Sequence, residues 1–156
     1  MYTENVIQQY IEQALIRDVV DGISRAVDAK DWQKCRAYFL DEIEVDFTSL
    51  SGGTPSVMSA DDLVFKGWAV NLYADKTSHH MHSGHEIEID GDKATCFSKG
   101  YAWNRLERAL GSELWEVWGD YVHILQRTAD GWKCSGLTFK ALYARGNEKV
   151  RDYLPE

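Results

Sequence analysis

Proline and cysteine are scarce in this chain, basic residues are outnumbered, and no long apolar run occurs. Each shortage removes a class of protein. Of 156 residues, 2 are Pro and 3 are Cys. Cys35, Cys96 and Cys134 lie far apart with no CxxC pair, which excludes a disulfide frame or a zinc ribbon and points to reduced thiols in a cytoplasm. Lys and Arg number 17 against 25 Asp and Glu, a formal charge of -8. An acidic chain without a basic run is poorly suited to a phosphate backbone or an anionic bilayer, so neither nucleic acid nor a membrane is expected as partner. No stretch approaches the ~20 apolar residues of a membrane span. The opening MYTENVIQQY lacks a basic-then-apolar signal layout. What is present is ordinary globular material, 44% hydrophobic and 27% charged, which excludes wholesale disorder. The length suits a single domain over residues 1–156. Aromatics are the surplus: 6 Trp and 8 Tyr exceed what packing one such domain requires, so some are expected to line a pocket.

The apolar pattern changes along the chain. Val6/Ile7, Tyr10/Ile11, Ala14/Leu15, Val19/Val20, Ile23 and Ala26/Val27 recur at helical spacing, which predicts a long amphipathic helix over 4–28. Asp31 is placed to cap a short second helix, WQKCRAYF. In EIEVDFTSL (42–50), Ile43, Val45 and Phe47 alternate with Glu42, Glu44 and Asp46, as in a strand with one buried face. SGGTPS reads as a loop, and a third helix starts at Ser59 with Leu63, Val64, Trp68 and Leu72 as its apolar face. Beyond residue 76 four long strands follow, with hairpin turns at IDGD (89–92) and TADG (128–131) that place Gly where φ must be positive. GNEKVRDYL is suited to a short closing helix. The fold class is therefore α+β. A strongly curved, mostly antiparallel sheet is closed into a cone by three helices from the N-terminal half, leaving a pocket against the long helix.

The helix ending in DAKDW, the strand EVDF, the TSHH strand, the IDGD turn and the DGW strand occur in an order and spacing that resembles the nuclear transport factor 2-like superfamily. More narrowly they resemble its polyketide-cyclase and scytalone-dehydratase branch, over roughly residues 10–146. The resemblance implies a cone with a deep apolar pocket, a homo-oligomer (dimer or trimer), no cofactor, and a small hydrophobic ligand. In dehydratase-like members and a related dehydrochlorinase, an Asp near the end of the first helix pairs with a His on a central strand. The matching positions are Asp28, first of DAKDW, and His80, second His of TSHH. Other pocket positions depart from the dehydratase: Val27 and Phe47 stand where it has tyrosines, Asn104 where it has a second histidine, and Asp120 and Val122 where it has serine and asparagine. These five are the expected substrate contacts, with Asn104 and Asp120 able to hydrogen-bond.

The pair suits proton abstraction beside a carbonyl, because imidazole exchanges a proton near neutral pH and a buried carboxylate fixes its tautomer. The expected activity is a dehydratase-type elimination on a hydrophobic cyclic carbonyl compound, with isomerisation or cyclisation by the same pair, or a ligand-carrying module without catalysis, as alternatives. The bland reading is that Asp28 caps the helix or pairs with Arg25 and that His80 is a core histidine. HHMH offers His80 and His82 on one strand face, with Glu86 beyond and His123 as the only distant partner, too little for a metal site. His79, His82 and His85 read as surface or interface residues. Tyr101 and Tyr121 alternate with Asn104 and Asp120 and so are expected on the opposite face. Trp103, Trp115 and Trp118 read as core or interface.

Overall fold

The computed structural model describes residues 3–107 and 109–154. Helix α1 spans Glu4–Asp28 and buries Ile16, Val19, Val20, Ile23, Ala26 and Val27. The apolar period continues toward its start, yet Ile7, Tyr10 and Ile11 are exposed. After α1 the backbone reverses at Lys30 with φ 57°, and Asp31 Oδ1 accepts a bond from Lys34 N at 3.1 Å to cap α2, Trp32–Ala37. Strand β1 runs Phe39–Asp46, starting earlier than the alternation suggested because buried Phe39 already pairs with the sheet. It stops where Asp46 Oδ1 accepts from Thr48 N at 3.0 Å and Thr48 Oγ1 at 2.7 Å. This turn replaces the expected end of the strand with a helical turn, α3, Thr48–Ser51. Part of the expected loop becomes a short edge strand, β2, Ser56–Ser59. The third helix is a π-wound segment, Asp62–Trp68, continued by α4, Ala69–Asn71. Its Leu63 and Val64 are buried against the core, as its apolar face requires.

Four long strands follow: β3, Lys76–Asp90; β4, Lys93–Leu106; β5, Leu114–Thr128; β6, Gly131–Gly146. The two expected turns carry Gly91 at φ 60° and Gly131 at φ 94°. The sheet is curved and unclosed, in the order β2-β1-β6-β5-β4-β3, with β1 parallel to β6 and every other pairing antiparallel. Helix α1 packs across its concave face. The chain ends on α5, Glu148–Asp152, anchored by a lysine with no exposed surface: Lys76 Nζ donates to Arg151 O at 3.0 Å and Tyr153 O at 3.1 Å. Burial brings that ammonium down to about 8. No helix among the described residues is long and apolar enough to cross a membrane.

Cross-strand partners in an antiparallel pair share a face, so register sets what looks inward. Asn104 lies opposite Ser78 on one side and Trp115 on the other; Ala102 lies between His80 and Val117. On β5 the odd positions Trp115, Val117, Tyr121 and His123 therefore face the cavity on the inner side of the sheet. Glu116, Asp120 and Val122 look outward. This corrects the expectation for β5: Asp120 and Val122 do not line the pocket, and Tyr121 does. The alternation of LWEVWGDYVHIL could not reveal this, since apolar residues stand on both of its faces.

Candidate active site

Between α1 and the concave sheet lies a cavity of about 300 Å³. Its walls are largely apolar: Ile23 and Val27 from α1, Phe47 after β1, Trp68 and Leu72 from the π-wound segment and the end of α4, and Trp115, Val117 and Phe139 from the sheet. Val27, Phe47 and Asn104 stand where the sequence placed them, on the cavity. Asn104 is 9% exposed, and its side-chain amide has no hydrogen-bond partner among the described residues.

Asp28 is the last residue of α1, and its carboxylate reaches β3. Its Oδ1 stands 2.7 Å from His80 Nδ1 and accepts from Ser78 Oγ at 2.8 Å, while Oδ2 accepts from His80 N at 2.8 Å. Asp28 thus pairs with β3 and not with Arg25. Burial pushes the carboxyl up, but hydrogen bonds from His80 and Ser78 outweigh it and hold Asp28 below the ordinary carboxylate range. A carboxylate can only accept, so Nδ1 carries the hydrogen and the lone pair falls on Nε2. Nε2 has no partner among the described residues, and the ring lines the cavity.

The same helix and strand make two further contacts of this kind. Ser24, one turn before Asp28, stands 2.7 Å from His82 Nε2, and His82 Nδ1 stands 3.0 Å from Ser98 Oγ. Asp21, a turn earlier again, stands 2.9 Å from His85 Nε2. Asp21, Ser24 and Asp28 form one polar stripe on α1, spaced at three and four residues. Alternation alone would turn His85 away. A bulge between Ser83 and Glu86, with Gly84 at φ 60°, brings it back. His82 and His85 are therefore not surface residues: His82 lines the cavity and His85 is tied to α1, whereas His79 does lie outside, stacked on Trp103 at 5.6 Å. Burial, the leading cause, brings His82 down to about 4 and His123 to about 3, so both are neutral at ordinary pH.

On the outer face, Asp120 pairs with Lys99 at 2.8 Å and Tyr101 donates to Glu116 Oε1 at 2.6 Å. Trp118 packs there between Tyr101 and Tyr143. The cavity is also lined by residues not among the expected substrate contacts: Ser24 from α1, and His82, Trp115, Tyr121 and His123 from the inner face of the sheet. The stripe Asp21–Ser24–Asp28 opposite a His-rich strand was the available signal for two of them. Tyr121 reaches His82, at 4.6 Å between ring centres, by lying across Gly100, where a Cβ would come 2.2 Å from its ring. Among the described residues no group of three or more His, Cys, Asp or Glu is placed to hold a metal ion. Cys35, Cys96 and Cys134 are buried free thiols, pushed by burial up to about 12, 11 and 12.

Residues 9–138 match the family model described as a SnoaL-like domain. No functionally curated protein matches the sequence. Among solved structures, the Kfla4162 protein of Kribbella flavida is 27% identical over 92% of this chain and 99% of its own, with a TM-score of 0.84. A Novosphingobium aromaticivorans protein provisionally named scytalone dehydratase is 14% identical over 90% of each chain, with a TM-score of 0.76. The hexachlorocyclohexane dehydrochlorinase LinA-type3 of Novosphingobium barchaimii LL02 is 17% identical over 96% of this chain and 99% of its own, with a TM-score of 0.71. For the last two the likeness is one of fold.

Proposed function

The chain belongs to the SnoaL-like domain family of the nuclear transport factor 2-like superfamily, and from that premise we propose that it is a small-molecule lyase, a dehydratase-type enzyme for a hydrophobic cyclic carbonyl compound. His80 is the general base and acid, and Asp28 orients it. Asn104 is a substrate contact. The observation that carries the reading is the 2.7 Å contact of His80 Nδ1 with Asp28 Oδ1, at the wall of an apolar cavity, with Nε2 unpaired.

The steps follow from that geometry. His80 Nε2 takes the proton from the carbon beside the carbonyl. The negative charge of Asp28, 2.7 Å from Nδ1, stabilises the imidazolium that forms. The electron pair of the broken C–H bond becomes the new C=C bond as the β C–O bond breaks. The hydroxyl leaves as water, taking the proton that Nε2 holds. One base serves both transfers, so the site needs no second acid. With no leaving group on the substrate, the same base would move a double bond instead. Elimination is favoured because two of the structural relatives carry the names of eliminating enzymes, a dehydratase and a dehydrochlorinase. The walls are largely apolar, which strengthens the interaction between the imidazolium and Asp28.

The test is turnover by purified protein of a panel of cyclic β-hydroxy ketones, with and without His80→Ala. Positioned acid–base catalysis contributes about 10²–10⁴-fold, and the variant is expected to lose that much. Activity retained within a few-fold would remove His80 from the reaction.

A further inference from the structure

The deep end of the cavity, beyond His80 and away from α5, holds polar groups the elimination does not use. His82 is fully engaged, one nitrogen toward Ser24 and the other toward Ser98. Two neighbours on β5 are not. His123 is 2% exposed, its ring lines the cavity, and its Nδ1 is the one buried side-chain nitrogen or oxygen among the described residues with no hydrogen-bond partner. Tyr121 lines the same end, and its Oη likewise has no partner among the described residues. The two rings, two residues apart on β5, stack at 5.8 Å between centres and both line the cavity. Around them the walls are Phe139 and Leu137, which offer no hydrogen bond.

An apolar wall that keeps an unpaired imidazole is less stable than one with a hydrocarbon in its place. Such a departure from good packing is characteristic of a binding site. We infer that Tyr121 and His123 form a recognition site for a hydroxyl group carried on the ring of the ligand, apart from the carbon that reacts at His80. The inference rests on the reading of this cavity as a small-molecule site and deepens it by naming a substituent. A hydroxyl oxygen accepts from Tyr121 Oη. The same hydroxyl either donates to a neutral imidazole nitrogen or accepts from its N–H, so it satisfies both groups whichever tautomer His123 holds. A carboxylate does not fit: this end of the cavity presents no cation, since burial keeps both imidazoles neutral. A hydrocarbon leaves both groups unpaired.

The experiment is isothermal titration of the purified protein with 5-indanol and with indane, its hydroxyl-free counterpart. The wild type is expected to prefer the alcohol on the order of tenfold, the size of a hydrogen bond to a group otherwise left unpaired. His123→Phe is expected to lose the preference while melting no lower than the wild type, because it removes an unpaired polar atom. Tyr121→Phe, which deletes a single oxygen, is expected to lose it as well and decides the matter if His123→Phe fails to fold. Equal affinity for the two ligands, binding of neither, or a preference that survives in either variant overturns the recognition site. The readout is binding without turnover, so it is separable from the elimination. His80→Ala is expected to keep the preference whatever it does to catalysis, and a preference lost there would place the hydroxyl at His80 and overturn the assignment.

Discussion

His80 and His82 stand two residues apart on one face of β3, and their helix partners stand one turn apart on α1. Their surroundings make them opposite in chemistry. His80 meets a carboxylate that is itself held by Ser78 and the His80 backbone, and one ring nitrogen is left free toward the cavity. His82 meets two hydroxyls, which occupy both nitrogens and supply no charge to offset burial, so its pKa falls to about 4. The contrast teaches that a histidine is equipped to act as a base by the partner that fixes one nitrogen and leaves the other free, and that position on a strand does not decide it.

The contrast can be broken at its strongest point by Asp28→Asn. The amide keeps the shape but loses the charge, and turnover is expected to fall about 10²–10⁴-fold, measured as kcat on any substrate the wild type eliminates. Next in size is Ser98→Ala. It strands one nitrogen of His82 beside a fully buried position, and a loss of about 1–3 kcal/mol is expected in urea unfolding.

Acid sharpens the comparison. Unfolded histidine titrates at 6.5, whereas His82 and His123 resist protonation in the fold down to about 4 and about 3. Between those values the unfolded chain binds protons that the folded chain refuses, so stability falls as pH drops from 6.5, by up to about one proton's slope for each histidine. Asp28 adds a further loss at lower pH, since its folded pKa lies below 3.8 and its hydrogen bonds are lost as it protonates. Ser24→Asp would give His82 the carboxylate that His80 has. Its imidazole pKa, read by NMR, is expected to rise from about 4, and the acid slope to become shallower. The smallest effect belongs to the outer face. Asp120→Ala removes a pair with a largely exposed Lys99, costs less than about 1 kcal/mol, and leaves turnover unchanged.

Much of this arrangement is legible in the sequence. The length of α1, the Asp31 cap and both glycine hairpins follow from local pattern and turn chemistry, and each stands where that pattern put it. The placement of Val27, Phe47 and Asn104 on the cavity was legible too. Asp120 and Val122 were misplaced because the face of a strand is set by the register across its hairpin. Asn104 pairs with Trp115, which turns every even position of β5 outward. His82 and His85 looked like surface because a polar residue is assumed to seek water. Here Ser24, Ser98 and Asp21 supply the hydrogen bonds in its place.

Periodicity, capping residues and turn glycines act between near neighbours, and near neighbours are what a linear string of residues records. They are enough to specify the two N-terminal helices, the four long strands and an α+β cone. Which side chain meets which is different. Asp28 and His80, 52 positions apart in the sequence, are joined by a hydrogen bond of 2.7 Å only because the sheet curls beneath α1. The unpaired Nδ1 of His123 likewise exists only because one register turned that strand inward. Those distances arise from packing one element on another, and only the tertiary structure decides them.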